Sequence, residues 1–216
     1  MRSVAVCLAS LAILCASPAL AAPPPLPPQT VAQLLAALAK SPGVYARYAE
    51  KKSIALLAAP LESEGELFYA APGLLARYTR KPEPSIVVLD PQRLRMHDGK
   101  SWQTLDFANK PLIRQFAESF VNLLRGDLAK LEQQYRLDWT PPTQQDPRWR
   151  LVLRPRQAPL DQLIARMELH GQGLVIREMR VLEVGGDETV TAYSAVDPAR
   201  VYGPAERMRV FALEKP

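Results

Sequence analysis

The chain has 216 residues, of which 48% are hydrophobic, 23% charged and 7% aromatic. That is the composition of one to one and a half globular domains, and it excludes a mostly disordered protein. Lys and Arg number 27 against 22 Asp and Glu, for a net charge of +5; the cations are scattered among acids, which excludes nucleic acid as a main partner. Two Cys and two His are too few for a multi-ligand Cys/His metal site.

Met1-Arg2-Ser3 is a short positive start, residues 4–16 are an apolar run, and Ala19-Leu20-Ala21 is a small-x-small cleavage pattern. Together they read as a secretory signal peptide over residues 1–21, cut after Ala21. The apolar run is shorter than the about 20 residues that cross a bilayer core, which weighs against a retained anchor. Leu14 stands before Cys15 where a lipid-attachment signal needs a small residue. Cleavage removes Cys7 and Cys15, so the mature chain is read as exported, soluble and free of disulfides, and a core must stabilise it.

Residues 22–29 open as Ala-Pro-Pro-Pro-Leu-Pro-Pro, a Pro-rich spacer in polyproline II conformation and not a folded element. Residues 30–216 then form one domain. Thr30 is a fair N-cap, and Val31, Leu34, Leu35 and Leu38 follow at helical spacing until Ser41-Pro42-Gly43 ends the helix. From Val44 the period changes to two. A strand is predicted over 44–52 and extended through 54–57, and a second over 63–70, with Leu67 and Tyr69 on one face and Glu66 and Phe68 on the other. Short strands follow at 74–80, 85–90, 93–97 and 101–105, separated by Pro82, Pro84, Pro91 and the Asp98-Gly99 turn.

Pro111 opens a second helix over 111–134, with a wide apolar face and an interruption at Gly126-Asp127. Strands resume at 135–139, 149–153, 161–169, 174–184 and 189–196, with hairpin turns at Gly171-Gln172-Gly173 and Gly185-Gly186-Asp187. Several carry charges at alternate positions, so one face of this part of the sheet is wet. The order predicts an α+β fold: one large, curved antiparallel sheet of about eleven strands, forming an incomplete, unclosed β-barrel lidded by helices.

No catalytic constellation stands out. His97 and His170 each lie beside a turn and read as exposed. No Gly-x-Ser-x-Gly elbow surrounds a serine, and Ser194 lies in a plain strand pattern. Gly171-x-Gly173 lacks a third glycine and a following helix, and there is no P-loop. Glu62, Glu64 and Glu66 share a strand face and read as solvated. No enzyme activity, metal or cofactor is expected. What remains is an apolar interior, and on periodicity alone a filled core is its simpler reading.

The run Tyr48-Ala49-Glu50-Lys51-Lys52, then Leu57, Pro60, Leu61, Ser63, Gly65, Leu67, Tyr69, Pro72 and Leu75 in their spacing, resembles the periplasmic lipoprotein carrier family, LolA. The likeness continues through Pro82, Ser85-Ile86-Val87-Val88 and Asp98-Gly99-Lys100-x-Trp102. It ends on a long helix, Trp149-x-Leu151-x-Leu153-x-Pro155 and two hairpins, so it covers nearly all of the mature chain as a divergent branch. The resemblance implies an unclosed barrel whose cavity shields the acyl chains of a lipoprotein or other lipid-linked cargo in the periplasm. It also implies an inner-membrane exporter as donor and an outer-membrane acceptor, with the carrier a monomer. In the family an Arg before the proline equivalent to Pro72 holds the lid shut. Here that position is Ala71, and Arg47 or Arg77 could take its place.

Strand alternation within the family frame nominates Leu67, Tyr69, Leu75, Phe116, Phe120 and Leu124 as cavity lining, an assignment that a one-residue slip would invert. Two other readings stay open. One is a non-catalytic envelope structural or adaptor protein with a filled core and an exposed sheet edge. The other is an acyl-processing hydrolase, for which no nucleophile is found.

Overall fold

The computed structural model describes residues 27–213; the signal peptide read over 1–21 and the start of the spacer lie outside the described residues. Helix α1 (Val31–Leu38) begins at Thr30 with a reciprocal cap. The Thr30 hydroxyl accepts from the Gln33 N–H at 3.2 Å, and the Gln33 side chain accepts from the Thr30 N–H at 3.3 Å. Six strands follow: β1 (Gly43–Ser53), β2 (Leu61–Ala70), β3 (Leu74–Lys81), β4 (Ser85–Leu89), β5 (Arg93–His97) and β6 (Trp102–Asp106). Then come α2 (Pro111–Leu124) and α3 (Leu128–Gln134), and strands β7 (Tyr135–Thr140), β8 (Arg148–Pro155), β9 (Ile164–Gln172), β10 (Val175–Glu183) and β11 (Glu188–Asp197). A short helix, α4 (Pro204–Val210), ends the described chain.

All eleven strands form one sheet in the order β6-β5-β4-β3-β2-β1-β11-β10-β9-β8-β7. Every pairing is antiparallel. Consecutive strands are neighbours except β6 and β7, and β11 returns to pair with β1, joining the two meanders into one sheet. Its edges, β6 and β7, are not paired with each other, so the sheet is an α+β half-barrel left open on one side. Helices α2 and α3 connect those two edges.

The break between α2 and α3 has a packing reason. Gly126 has φ +69°, and a Cβ there would come 2.2 Å from the Leu35 carbonyl oxygen and 2.8 Å from the Ala39 Cβ. The α1 helix therefore lies directly on the bend, and only glycine fits. Asp127 restarts the chain by accepting from the Lys130 N–H at 3.2 Å. Leu34, Leu35, Leu131, Tyr135, Trp149, Leu151, Leu153 and Leu160 fill one half of the interior against β7–β10.

The outer faces of the two halves differ. On the β1–β5 half, α4 packs Val210 and Phe211 against Ala70, Ala76 and Val88, flanked by Phe68 and Tyr78. Tyr78 donates to the Val210 carbonyl at 2.8 Å, and Arg95 donates to the Phe211 carbonyl at 2.9 Å. On the β8–β10 half the outer face is charged, as alternation predicts: Glu168 accepts from Arg150 at 2.8 Å and from Arg166 at 2.5 Å. Burial would raise the Glu168 pKa, but these two arginines outweigh it and hold the carboxyl at about 2.

Five sequence readings change. Residues 54–57 do not extend β1: β2 begins at Leu61 opposite Lys52, so no partner strand stands beside them, and a turn forms with the Leu57 N–H on the Ile54 carbonyl at 2.9 Å. The strand placed at 161 starts at Ile164, after a turn of 3-10 helix at Leu160–Gln162. The α4 helix is additional; only seven residues long, it is stabilised by the tertiary contacts of Phe211 and Val210. The end of the Pro-rich spacer is docked, with Pro28 buried and the Gln29 carbonyl accepting from Trp139 Nε1 at 2.9 Å. Neither histidine is simply exposed: His97 packs on Trp102 with ring centroids 5.1 Å apart, and His170 Nε2 is buried 3.5 Å from Glu168 Oε2.

Trp149 anchors the filled half, 1% exposed, with its Nε1 donating to the Gly173 carbonyl at 2.9 Å and its ring stacked on Trp139. The ring lies over the bare backbone of Gly171, where a Cβ would come 2.2 Å from Trp149 Cζ2 and 2.5 Å from the Val175 carbonyl oxygen. Gly171→Ala should therefore destabilise the fold by about 1–3 kcal/mol, read as a lower urea midpoint at unchanged m. An unaltered midpoint would mean that the ring is not held there.

Candidate binding cavity

The other half of the interior is not filled. Beneath α2, between the inner faces of β1–β5 and β9–β11, lies a cavity of about 640 Å³. This is within the roughly 300–1,000 Å³ typical of small-molecule sites. Its wall is graded. On β1, Val44 and Ala46 near the helices give way to Glu50 and Lys52; on β3, Leu75 gives way to Arg77 and Thr79; on β10, Ile176, Met179 and Val181 give way to Glu183. Each change runs toward the end of the barrel that holds the β1–β2 and β10–β11 loops. The cavity is thus an apolar chamber under the helical lid with a polar end opposite.

All six residues nominated from sequence lie on this wall: Leu67 and Tyr69 on β2, Leu75 on β3, and Phe116, Phe120 and Leu124 on α2. The alternation of β2 has the expected phase, since Phe68 points outward against Tyr45 and Tyr78. Phe116 and Phe120 meet edge to face across one helical turn, centroids 5.1 Å apart. Tyr69 is fully buried, whereas the other five are only half-buried although they face inward. Inward apolar side chains left partly accessible are the mark of open space and not of a packed core.

The α2 lid is held by apolar contact and one polar tie. Ala117 packs with Phe107 and Leu89, flanked by Ile113, Val121, Leu75 and Leu94. Ser119, on another face, shares a hydrogen bond with the Tyr135 hydroxyl at the start of β7. Neither arginine suggested as a substitute latch reaches the lid. Arg47 is exposed on the outer face of β1. Arg77 faces inward but binds Glu50 of β1, through Nη2–Oε1 at 2.8 Å and Nη1–Oε2 at 3.0 Å. The Ala71 carbonyl accepts instead from Arg207 of α4 at 3.0 Å, on the outside of the sheet.

Sequence reasoning missed the polar end. The Thr191 hydroxyl donates to Glu50 Oε2 at 2.9 Å, and the Arg77 guanidinium lies 4.2 Å above the Tyr48 ring. Lys52 pairs with Glu183 at 2.9 Å. A signal was present: Ala46, Tyr48, Glu50 and Lys52 are one period-two set, so the face that is apolar at Ala46 is charged at Lys52. Among the described residues, no group of three or more His, Cys, Asp and Glu is arranged to hold a metal ion, and no helix is long and apolar enough to cross a membrane.

The sequence model of the family described as outer membrane lipoprotein carrier protein, LolA-like, matches residues 22–211. No curated protein matches the chain. Among solved structures it is similar to a LolA superfamily protein, NE2245, of Nitrosomonas europaea, at 11% identity and a TM-score of 0.42, covering 82% of this chain and 96% of that one. It is similar also to a DUF1329 family protein of Desulfovibrio piger, at 11% identity and a TM-score of 0.49, covering 85% and 96%. A chain of the MucA/MucB complex of Pseudomonas aeruginosa matches at 16% identity and a TM-score of 0.47, covering 77% of this chain and 56% of that one.

The polar end has a pH signature. Burial alone would raise the Glu50 pKa, but Arg77, with Thr191 and Ser63, outweighs it and holds the carboxyl below its ordinary 4.5. A carboxyl lowered by folding adds stability that is present above its unfolded value and is lost as the pH falls through the folded one. Glu50→Gln should lower the urea midpoint at pH 7 and flatten its decline below pH 4.5 relative to wild type. Parallel wild-type and variant curves would show that the pair is energetically idle.

Proposed function

The chain belongs to the LolA-like family of outer membrane lipoprotein carrier proteins, and from that premise we propose that it is a periplasmic carrier that shields acyl chains in its cavity. The cargo is a lipoprotein or another lipid-linked molecule in transit toward the outer membrane. Residues 1–21 act as the cleaved signal peptide, and residues 30–216 form the carrier domain. An inner-membrane exporter supplies the cargo and an outer-membrane acceptor removes it. Leu67, Tyr69, Leu75, Phe116, Phe120 and Leu124 contact the chain. The reading involves no catalysis and no cofactor.

The observation that supports this most is the apolar chamber of about 640 Å³ beneath α2. An acyl chain cannot cross water alone, since each methylene moved into an apolar site gains about 0.8 kcal/mol. Ten buried methylenes would contribute roughly 8 kcal/mol before ordering costs. A carrier must also release what it holds. The lid here is kept by apolar contacts and the Ser119–Tyr135 hydrogen bond, with alanine at the position of the family's arginine latch. Among the described residues, opening α2 therefore breaks no charged pair to the sheet, and cargo that fills the chamber takes over the lid's apolar contacts. The unfilled space argues against the adaptor reading, which requires a packed core.

Purified protein should take up a fluorescent fatty acid, such as an anthroyloxy-labelled stearate, saturably. Leu67→Glu, which sets a carboxylate in the chamber wall, should weaken uptake at least tenfold while the circular dichroism spectrum stays unchanged. A well-folded wild-type protein that takes up no labelled fatty acid would overturn the carrier reading.

A further inference from the structure

The loop joining β1 to β2 carries no charged or polar side chain. It reads Ile54-Ala55-Leu56-Leu57-Ala58-Ala59-Pro60, and Leu61 follows as the first residue of β2. Leu56 is 94% exposed, Leu61 54% and Leu57 47%. Single exposed leucines are ordinary on protein surfaces; three within six residues, at the tip of one loop, are a contiguous patch. The neighbouring loops extend it, for Val184 is 56% and Leu163 46% exposed. These segments are tied together: the Ala55 N–H donates to Asp187 Oδ1 at 3.0 Å, and the Val184 N–H donates to the Leu163 carbonyl at 2.8 Å.

Six charges at the base of this tip are neutralised in pairs, while the Asp187 carboxylate accepts from the tip's own Ala55 N–H. Lys51 meets Glu62 at 2.8 Å, Lys52 meets Glu183 at 2.9 Å, and Lys81 meets Glu64 at 2.9 Å. Lys52 and Glu183 also line the polar end of the cavity, so the apolar tip stands at that end's rim. The Ala55 and Leu57 N–H groups are bonded within the protein, and Pro60 has none.

We propose that the 54–61 tip, with Val184 and Leu163, inserts into the interfacial region of a phospholipid bilayer and holds the polar end of the cavity against the membrane surface. A loop tip of apolar residues fits a fluid bilayer, which needs no preformed pocket and accepts apolar side chains to a depth of about 5–10 Å. The paired charges at its base match zwitterionic headgroups and exert no net attraction on an anionic surface. Binding is therefore apolar in character and insensitive to salt, unlike a polybasic membrane anchor.

Leu56→Trp reads this directly when the full chain is mixed with vesicles of phosphatidylcholine, with and without phosphatidylglycerol. Its tryptophan emission should shift to the blue with both vesicles, in low salt and in 0.5 M salt (roughly a 4 Å screening length). The double variant L56D/L57D should co-sediment with vesicles at least tenfold less than wild type while taking up labelled fatty acid as wild type does. Fatty-acid uptake absent but vesicle binding intact would sink the carrier reading and leave this one standing. Absence of wild-type vesicle binding, binding unchanged in L56D/L57D, or binding that requires phosphatidylglycerol and vanishes in salt would overturn it, and would leave the tip to a protein partner.

Discussion

The strands β6 and β7 do not pair, and the rest of the architecture follows from that gap. An eleven-stranded antiparallel sheet must curl, but this one stops short of closing, and the chain that runs from one free edge to the other is α2 and α3. A closed barrel of this size would have to fill its interior with side chains or hold a permanent cavity. An open one places a helix over the gap, attached at both ends to the sheet and packed across it by Phe107, Ala117 and Leu89. The same helix directs Phe116, Phe120 and Leu124 at the inner wall.

The interior is divided between stability and space. On the β7–β10 side, α1 and α3 complete a packed core around Trp149, Leu151, Tyr135 and Leu131, each 1% exposed or less. On the β1–β5 side nothing comparable enters, because the helix that packs there, α4, lies on the outer face. That placement explains why strands such as β2 and β3 are apolar on both faces: Phe68, Ala76 and Tyr78 serve the outer helix, and Leu67, Tyr69 and Leu75 face the chamber. One half of the barrel fixes the fold, and the other is left open without unravelling it.

Much of this was legible in the sequence because it is local. Thr30 as a cap, the switch to period two at Val44, the Gly126-Asp127 break and the glycine turns each depend on residues a few positions apart. The β2 alternation also put Leu67 and Tyr69 on the wall, since a strand buried on two unlike faces keeps its phase, and the family frame added Leu75, Phe116, Phe120 and Leu124. The rest depends on contacts far apart in the chain. Residues 54–57 are apolar enough for a strand, but no neighbouring strand reaches them. The α4 helix is too short to announce itself, and its stability comes from β3 and β5, 132 and 116 residues away in sequence. The role of Arg77 turned on Glu50, a strand away. The burial of Pro28, in a segment whose composition reads as spacer, required knowing that Trp139 lies beside it.

The central claim is that the chamber under α2 holds an acyl chain. Native mass spectrometry of the full chain, purified without detergent from the cells that express it, tests this most directly. The account predicts a fraction of the protein carrying an acyl-bearing adduct that is released on collisional activation and is lost in Phe120→Glu. Bare protein throughout, or an identical adduct in a folded Phe120→Glu variant, would contradict it.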